Sequence, residues 1–394
     1  MAVIVRSSGA STSNSGNRTV YAISPPAGLT AIAANGTTND SAALQAMLTW
    51  VKGTYGAGRV QLPPGATIKC NTGLVLPAGV QLVSDESTTI DFTGIGTGTA
   101  ITINDNDFTP LIGVSLTGPN SSRSLVNASI GVSVTGARLR LYNLQVKEFG
   151  RGVDMAHSDT WLVSIIGGSI WNCGTCVYLD NTGAAANNAG EEMVLDNVTL
   201  YNSTRAIHAT GNGVDLKVTN SSIDYCTTFG ELADAWVYFT GCHLESQGGV
   251  SGTYLFNVTH NAKVSFANTD VIMGAGTTSA LTNLFNPDEA PWNFGNGAAH
   301  FINTKIYSIN PTGGDVTHFS HQLLEWPAST TTMTLFTPFP LRWCMTSARF
   351  VAQDFRAVPN GDQIYVSGLN LTNRTFTLTS PSNASDRWVR FTFS

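Results

Sequence analysis

Four segments of this 394-residue chain can be laid under one another without a gap, and that repetition limits the folds open to it more than any other feature. They are LRLYNLQVKEFGRGVDM (139–155), VSIIGGSIWNCGTCVYL (163–179), MVLDNVTLYNSTRAIHA (193–209) and LKVTNSSIDYCTTFGEL (216–232). The first and third positions are apolar in every copy. The fifth holds Asn143, Gly167, Asn197 or Asn220, and the eighth holds Val146, Ile170, Leu200 or Ile223. Partial copies follow at 237–244, 264–271 and 299–306, so that successive starts are 24, 30, 23, 21, 27 and 35 residues apart.

Alternation with period two, broken by Asn and Gly and renewed every 20 to 35 residues, predicts a β-solenoid. One coil cannot bury its own apolar face, whereas stacked coils bury a continuous core. Residues at equal positions then become vertical neighbours about 4.8 Å apart. The Asn positions predict a hydrogen-bonded ladder at a tight turn. Variable spacing predicts insertions on one side, with 180–192 the longest in the central region. The alternative is a β-sandwich with irregularly spaced strands, which four gapless copies disfavour.

Composition agrees with polar, uncharged coil faces. The chain is 42% hydrophobic but only 12% charged, and its 39 glycines supply turns. A net charge of −6 without clustered Lys and Arg argues against nucleic acid or an anionic membrane as partner. No apolar run nears the roughly 18 residues that span a bilayer. The opening MAVIVRSSGASTSNSG lacks the longer apolar core of a signal peptide, so a soluble chain that does not export itself by that route is expected. Six cysteines include the Cys173–Cys176 pair of a Cys-x-x-Cys, but no second pair completes a zinc site. No metal or cofactor is expected, and these cysteines read as small buried side chains.

Before the repeat, TNDSAALQAMLTWVKG reads as a helix near residues 40–52. Asp40 or Ser41 can cap it, Leu44, Met47, Leu48 and Val51 share one face, and Gly53 follows. Such a helix can cover the open first coil. GRVQLPPG and GLVLPAGVQLVSD then supply first strands. Together these segments and the coils, roughly Ala34 to Asn310, resemble the pectate-lyase-like right-handed parallel β-helix of bacteriophage tailspikes and capsule depolymerases.

The resemblance implies an all-β homotrimer that binds or cleaves bacterial capsular or O-antigen polysaccharide. It implies a virion protein, made in the host cytoplasm, acting at the bacterial surface and joined to the phage tail or an adaptor through its N-terminus. It supplies no universal catalytic motif. Three regions are expected: a short anchor peptide at 1–27, the β-helix at 28–315, and a β domain at 316–394 for trimerisation or carbohydrate binding. The last region shows ARFVAQDF, DQIYVSGLNL, RTFTLTS and DRWVRFTFS as alternating strands.

Stacking turns sequence offset into columns of candidate site residues. The ninth position reads Lys147, Trp171, Tyr201, Asp224 and Glu245, then Ile272 and Tyr307 if register holds. The tenth reads Glu148, Asn172, Asn202, Tyr225 and Ser246. Rings, amides and carboxylates in a vertical strip suit a polysaccharide. Asp224 and Glu245 fall on adjacent coils and form the first candidate catalytic pair, one as acid and the other as nucleophile or base. The sixteenth position reads Asp154, Tyr178, His208 and Glu231, with Arg151 and Arg205 of the thirteenth nearby to hold an acidic sugar's carboxylate. Asp154 and Glu231 stand three coils apart, about 14 Å, too far for one bond's acid and base without help. Asp154, His157 and Asp159 are close in sequence but lack a positioned nucleophile, so they read as a loop cluster. Glycoside hydrolysis is the leading expectation. A lyase using Lys147, Arg151, Arg205, Tyr201 and His208, or a non-catalytic adhesin, are the alternatives.

Overall fold

The computed structural model describes residues 18–157, 159–182, 190–246, 254–259, 262–273, and Thr304, together with the later strands named below. The chain winds as a parallel β-helix whose coils present three faces. The first face runs from Thr19–Tyr21 through Gly58–Gln61, Val80–Val83 and Leu111–Ile112 to Ala299–Ile302. The second runs from Asn35–Asn39 through Thr67–Lys69, Thr89–Asp91 and Ser115–Thr117 to Lys305–Ile309. In the middle, Arg140–Lys147 and Ser164–Trp171 each serve both faces. The third face holds nine strands, from Leu74–Leu76 to Asn283–Phe285.

Register is the feature that matters for function. Leu141, Ile165, Leu195, Val218, Phe239, Phe266 and Phe301 are successive partners on the first face. The spacings between sequence copies are therefore the spacings between hydrogen-bonded rungs. Eighth-position residues Val146, Ile170, Leu200, Ile223 and Leu244 are buried in one continuous core. Near its far end the rings of Phe239 and Phe266 stack 5.3 Å apart, and Phe256 of the third face meets both edge-on.

The corners explain the Asn and Gly pattern. The fifth position takes left-handed backbone in every described copy: Asn143, Gly167, Asn197, Asn220, Gly241 and Asn268 have φ of 49°, 70°, 57°, 49°, 65° and 50°. That conformation costs most side chains about 1–2 kcal/mol and is borne best by Gly and Asn. At Gly167 an added β-carbon would also collide with Oδ1 of Asn143 below. The side-chain amides of this corner reach carboxylates. Asn143 Nδ2 donates to Glu86 Oε1 at 2.8 Å and Asn220 Nδ2 to Asp196 Oδ1 at 3.2 Å. The ladder here is backbone, with Asn197 N–H donating to Thr219 O and Asn220 N–H to Thr240 O, each at 3.0 Å. An Asn pair does stack at the second corner, where Glu148, Asn172, Asn202 and Tyr225 are also left-handed. There Asn202 Nδ2 donates to Asn172 Oδ1 at 2.7 Å.

The helix forms over Ser41–Tyr55 and buries Leu44, Met47, Leu48 and Val51 against the strands Gly58–Gln61 and Leu74–Leu76. It runs through Gly53. Gly56, at φ 74°, ends it by donating its N–H to Lys52 O. Asp40 does not cap it by side chain, because its carboxylate accepts the N–H groups of Ala33 and Ala34 at 2.8 and 2.9 Å. Thr19–Tyr21, inside the 1–27 segment, pairs with Gly58–Gln61. Parallel pairing on the second face ends where Lys305–Ile309 meets Val316–Phe319 antiparallel. Beyond it, Leu324–Trp326, Arg387–Thr392 and Val351–Asp354 form one antiparallel sheet, and Thr332–Phe336, Thr375–Thr379 and Tyr365–Asn370 another. Cys344 lies outside the described residues.

The corner geometry makes a direct prediction. Asn197→Gly should leave the thermal midpoint nearly unchanged, whereas Asn197→Val should cost about 1–2 kcal/mol, because only the second forces a β-branched residue into left-handed backbone. Calorimetry of both variants checks the order.

Candidate functional site

The ninth-position column exists. Lys147, Trp171, Tyr201, Asp224, Glu245, Ile272 and Tyr307 pair in unbroken succession on the second face. Lys147 through Ile272 are partly exposed along it. The rings of Trp171 and Tyr201 stack on each other, 5.5 Å apart and 6° from parallel. Each therefore spends one ring face on its neighbour. Partial burial pushes the Tyr201 phenol above its ordinary pKa, so it stays a hydrogen-bond donor at neutral pH.

Asp224 and Glu245 are direct rung partners. Between them stands His243, one coil from Ser222 in the seventh column and two residues before Glu245. His243 Nε2 lies 3.4 Å from Glu245 Oε2 and 3.9 Å from Asp224 Oδ1. Ser222 Oγ donates its one hydrogen to Asp224, 2.7 Å from both carboxylate oxygens. Tyr225 OH donates to Glu245 Oε1 at 3.3 Å, and the Glu245 charge raises the Tyr225 pKa. One ligand atom each from Asp224, His243 and Glu245 falls within 4.8 Å of the others. A divalent cation bonded at about 2.0–2.4 Å can bridge such atoms, so these are the residues able to hold one. The same bound places one oxygen of Asp224 within 4.8 Å of one oxygen of Glu245.

A groove of about 440 Å³ opens beside the trio. It follows the first corner and is lined by Asn197, Thr199, Asn220, Ser222, His243 and Asp270. Thr199, Ser222, His243 and Asp270 are successive rungs of the seventh column. His243 thus belongs both to the groove and to the carboxylate pair. The sequence reading followed the ninth and tenth columns and missed it. Reading the seventh position down the same copies would have found it.

The tenth-position amides are otherwise occupied. Beyond the Asn202–Asn172 bond, Arg123 NH1 donates to Asn202 Oδ1 at 2.7 Å and to its carbonyl at 3.1 Å. Arg123 belongs to residues 118–129, an insertion at the second corner that the repeat pattern did not reveal. Thr204 Oγ1 ties it down by donating to Arg123 O at 2.6 Å.

The sixteenth-position column is also real and forms a second polar cluster on the third face. Asp154, Tyr178, His208 and Glu231 are successive partners, with Arg151, Thr175 and Arg205 beside them. Tyr178 is sandwiched: Arg151 Cζ lies 3.7 Å from its ring centroid and His208 stacks on it at 4.4 Å. Buried Asp154 accepts Arg151 NH1 at 2.7 Å, and Arg205 is ion-paired to Glu231. The two arginines proposed for an acidic sugar therefore already hold carboxylates of their own chain. His208 Nδ1 faces both Arg205 NH1 at 3.2 Å and Glu231 Oε2 at 3.3 Å. It can accept from the first or donate to the second, so this imidazole has two competing proton positions. The hydrogen bond to His208 and the charge of Arg205 hold Glu231 below the usual carboxylate range.

Cys173 and Cys176 sit buried at the second corner, and desolvation pushes Cys173 up to about 12. Both are free thiols, protonated at neutral pH.

No family model matches the chain, and no curated protein matches it. Solved structures align with it at low identity. The tailspike protein of Acinetobacter baumannii phage AM24 aligns at 11% identity and TM-score 0.46, over 90% of this chain and 80% of that one. The A-module of an Azotobacter vinelandii mannuronan C-5 epimerase aligns at 14% and 0.38, over 71% of this chain and 96% of that one. An alginate lyase from Paenibacillus aligns at 16% and 0.36, over 62% and 97%.

Asp180, at the edge of the second cluster, gives a pH prediction. Burial opposes its charge, but the N–H and hydroxyl of Thr182, the Thr210 hydroxyl and the Tyr178 phenol outweigh that and hold it at about 2. An acid held below its ordinary value near 4 contributes stability that is intact above that value and lost as pH falls toward the folded-state pKa. Asp180→Asn should therefore lower the melting temperature at pH 7, with the gap to wild type closing between about pH 4 and 2. Melting curves across that range check it.

Proposed function

We propose that the chain is a phage tailspike depolymerase that binds bacterial surface polysaccharide along the second face and cleaves it by glycoside hydrolysis. One observation carries the reading: Asp224 and Glu245 are rung partners with oxygens within 4.8 Å, beside a 440 Å³ groove lined by amides, hydroxyls and His243. Groove polarity suits sugar hydroxyls, and the ring column of Trp171 and Tyr201 extends the contact along the axis. The phage setting, the homotrimer and attachment through the N-terminal residues are carried by the resemblance of residues 34–310 to that family.

We assign roles from the contacts. Ser222 orients Asp224, which acts as nucleophile at the anomeric carbon. Glu245, within proton-transfer reach of His243, donates a proton to the departing glycosidic oxygen and then takes one from the incoming water. The configuration is retained.

A lyase is the second reading, and one observation favours it: His208 sits among Arg205, Glu231 and Tyr178 with its proton position contested. Such a group can abstract a proton beside a carboxylate-bearing carbon while a cation steadies the developing charge.

The experiment is digestion of a panel of capsular and O-antigen polysaccharides, with products analysed by mass spectrometry. Hydrolysis yields oligosaccharides with new reducing ends and no ultraviolet-absorbing unsaturated uronate. Asp224→Asn and Glu245→Gln should each lower turnover by about 10²–10⁴-fold while binding persists. Unsaturated products that disappear in His208→Ala would move the chemistry to the third face. Tight binding without any turnover would make the protein an adhesin.

A further inference from the structure

The loop cluster of Asp154, His157 and Asp159 lacked a nucleophile in sequence, and the fold brings one to it. Ser133 lies one rung from Asp154 on the third face, and its Oγ is 2.9 Å from His157 Nε2. Ser133 is on the strand Ile130–Thr135, is only 8% exposed, and stands in the column that runs from Thr102 through Asp154 to Tyr178. His157 arrives from the turn after Arg151–Asp154 and stays partly exposed. Asp154 shapes that turn: its Oδ1 accepts the Ala156 N–H at 2.9 Å, while Arg151 holds its other oxygen. A hydroxyl on a rigid strand within hydrogen-bond reach of an imidazole is the arrangement of an activated nucleophile.

We propose that Ser133 and His157 form a second chemical site, which hydrolyses carboxylic esters such as the O-acyl groups of a saccharide that reaches from the second face to the third. Its saccharide part rests on the function proposed above, and the ester chemistry does not. In the acylation step Ser133 Oγ bonds to the acyl carbon and its proton passes to His157 Nε2. The bond from that carbon to the sugar oxygen breaks, and the oxygen takes the proton. In deacylation water gives a proton to His157, its oxygen bonds to the acyl carbon, and Oγ leaves and recovers the proton. The products are a free hydroxyl and a carboxylic acid. Nε2 must be the unprotonated nitrogen at the outset, which places the resting proton on Nδ1. Asp154 is a positioning residue that acts through the backbone of the turn. Among the described residues the two form a pair and not a triad, so slow turnover is expected and a covalent probe is the sharper test.

Full-length protein is incubated with a fluorophosphonate, and the labelled peptide is located by mass spectrometry; p-nitrophenyl acetate hydrolysis is followed in parallel. The expected result is stoichiometric label on Ser133, none in Ser133→Ala, at least tenfold slower labelling in His157→Asn, and ester hydrolysis that falls in both variants. Label scattered over many serines, or ester hydrolysis equal in Ser133→Ala and wild type, would overturn the site. Labelled Ser133 in a protein that cuts no glycan would keep this site and remove the depolymerase reading. Glycan cleavage without the label would do the reverse.

Discussion

Rung-to-rung backbone hydrogen bonding without slippage is the constraint on which the rest of this structure depends. Parallel pairing places equal positions of successive coils in contact, so one coil's register fixes the next. A shift of one residue would turn Val146, Ile170, Leu200 and Ile223 out of the core together. The left-handed corners guard against that shift, because the fifth position of the repeat holds Asn or Gly where the backbone must turn. Asn197 and Asn220 hand their N–H groups to the coil above at that corner, so the turn itself carries the ladder.

Columns follow from register, and chemistry follows from columns. On the second face, residues 21 positions apart in sequence, Asp224 and Glu245, become neighbours, and the same step brings Tyr201 beside Asp224. On the third face it assembles Asp154, Tyr178, His208 and Glu231. The two clusters differ in kind. The second-face trio is partly exposed, borders a groove and, among the described residues, pairs with no Lys or Arg. The third-face cluster has its arginines bound to its own carboxylates and its tyrosine ring covered on both sides. An open trio can accept a substrate without first breaking ion pairs, which is why the hydrolytic reading is placed there.

The winding, the spacing of the coils and both columns were legible in sequence, because each depends only on counting from one Asn or Gly corner to the next. The helix face of Leu44, Met47, Leu48 and Val51 was legible for a similar reason of periodicity. Its end was not: Gly53 is tolerated inside the helix and Gly56 supplies the left-handed cap. What side chains do within a column depends on rotamers and on insertions that no period describes. Thus Asn172 and Asn202 turned out to hold the second corner, with Arg123 arriving from a loop some eighty residues earlier. Ser133 and His157 meet because one rung and one turn happen to converge, and neither lies in the four aligned copies' shared pattern. His243 was within reach of the same column counting and lay two positions from where it was applied.

Cysteine cross-linking tests the central claim, the register that makes these columns, most directly. Thr199 and Ser222 face outward on adjacent rungs of the seventh column. Parallel strands about 4.8 Å apart meet the Cα separation that a disulfide requires. The double variant Thr199→Cys with Ser222→Cys should therefore close rapidly under mild oxidation, and the loop should be detected by peptide mapping. Thr199→Cys with Asp270→Cys, three rungs or about 14 Å apart, should remain reduced. Closure of the distant pair, or failure of the adjacent pair in a folded protein, would contradict the register and dissolve the Asp224–Glu245 site with it.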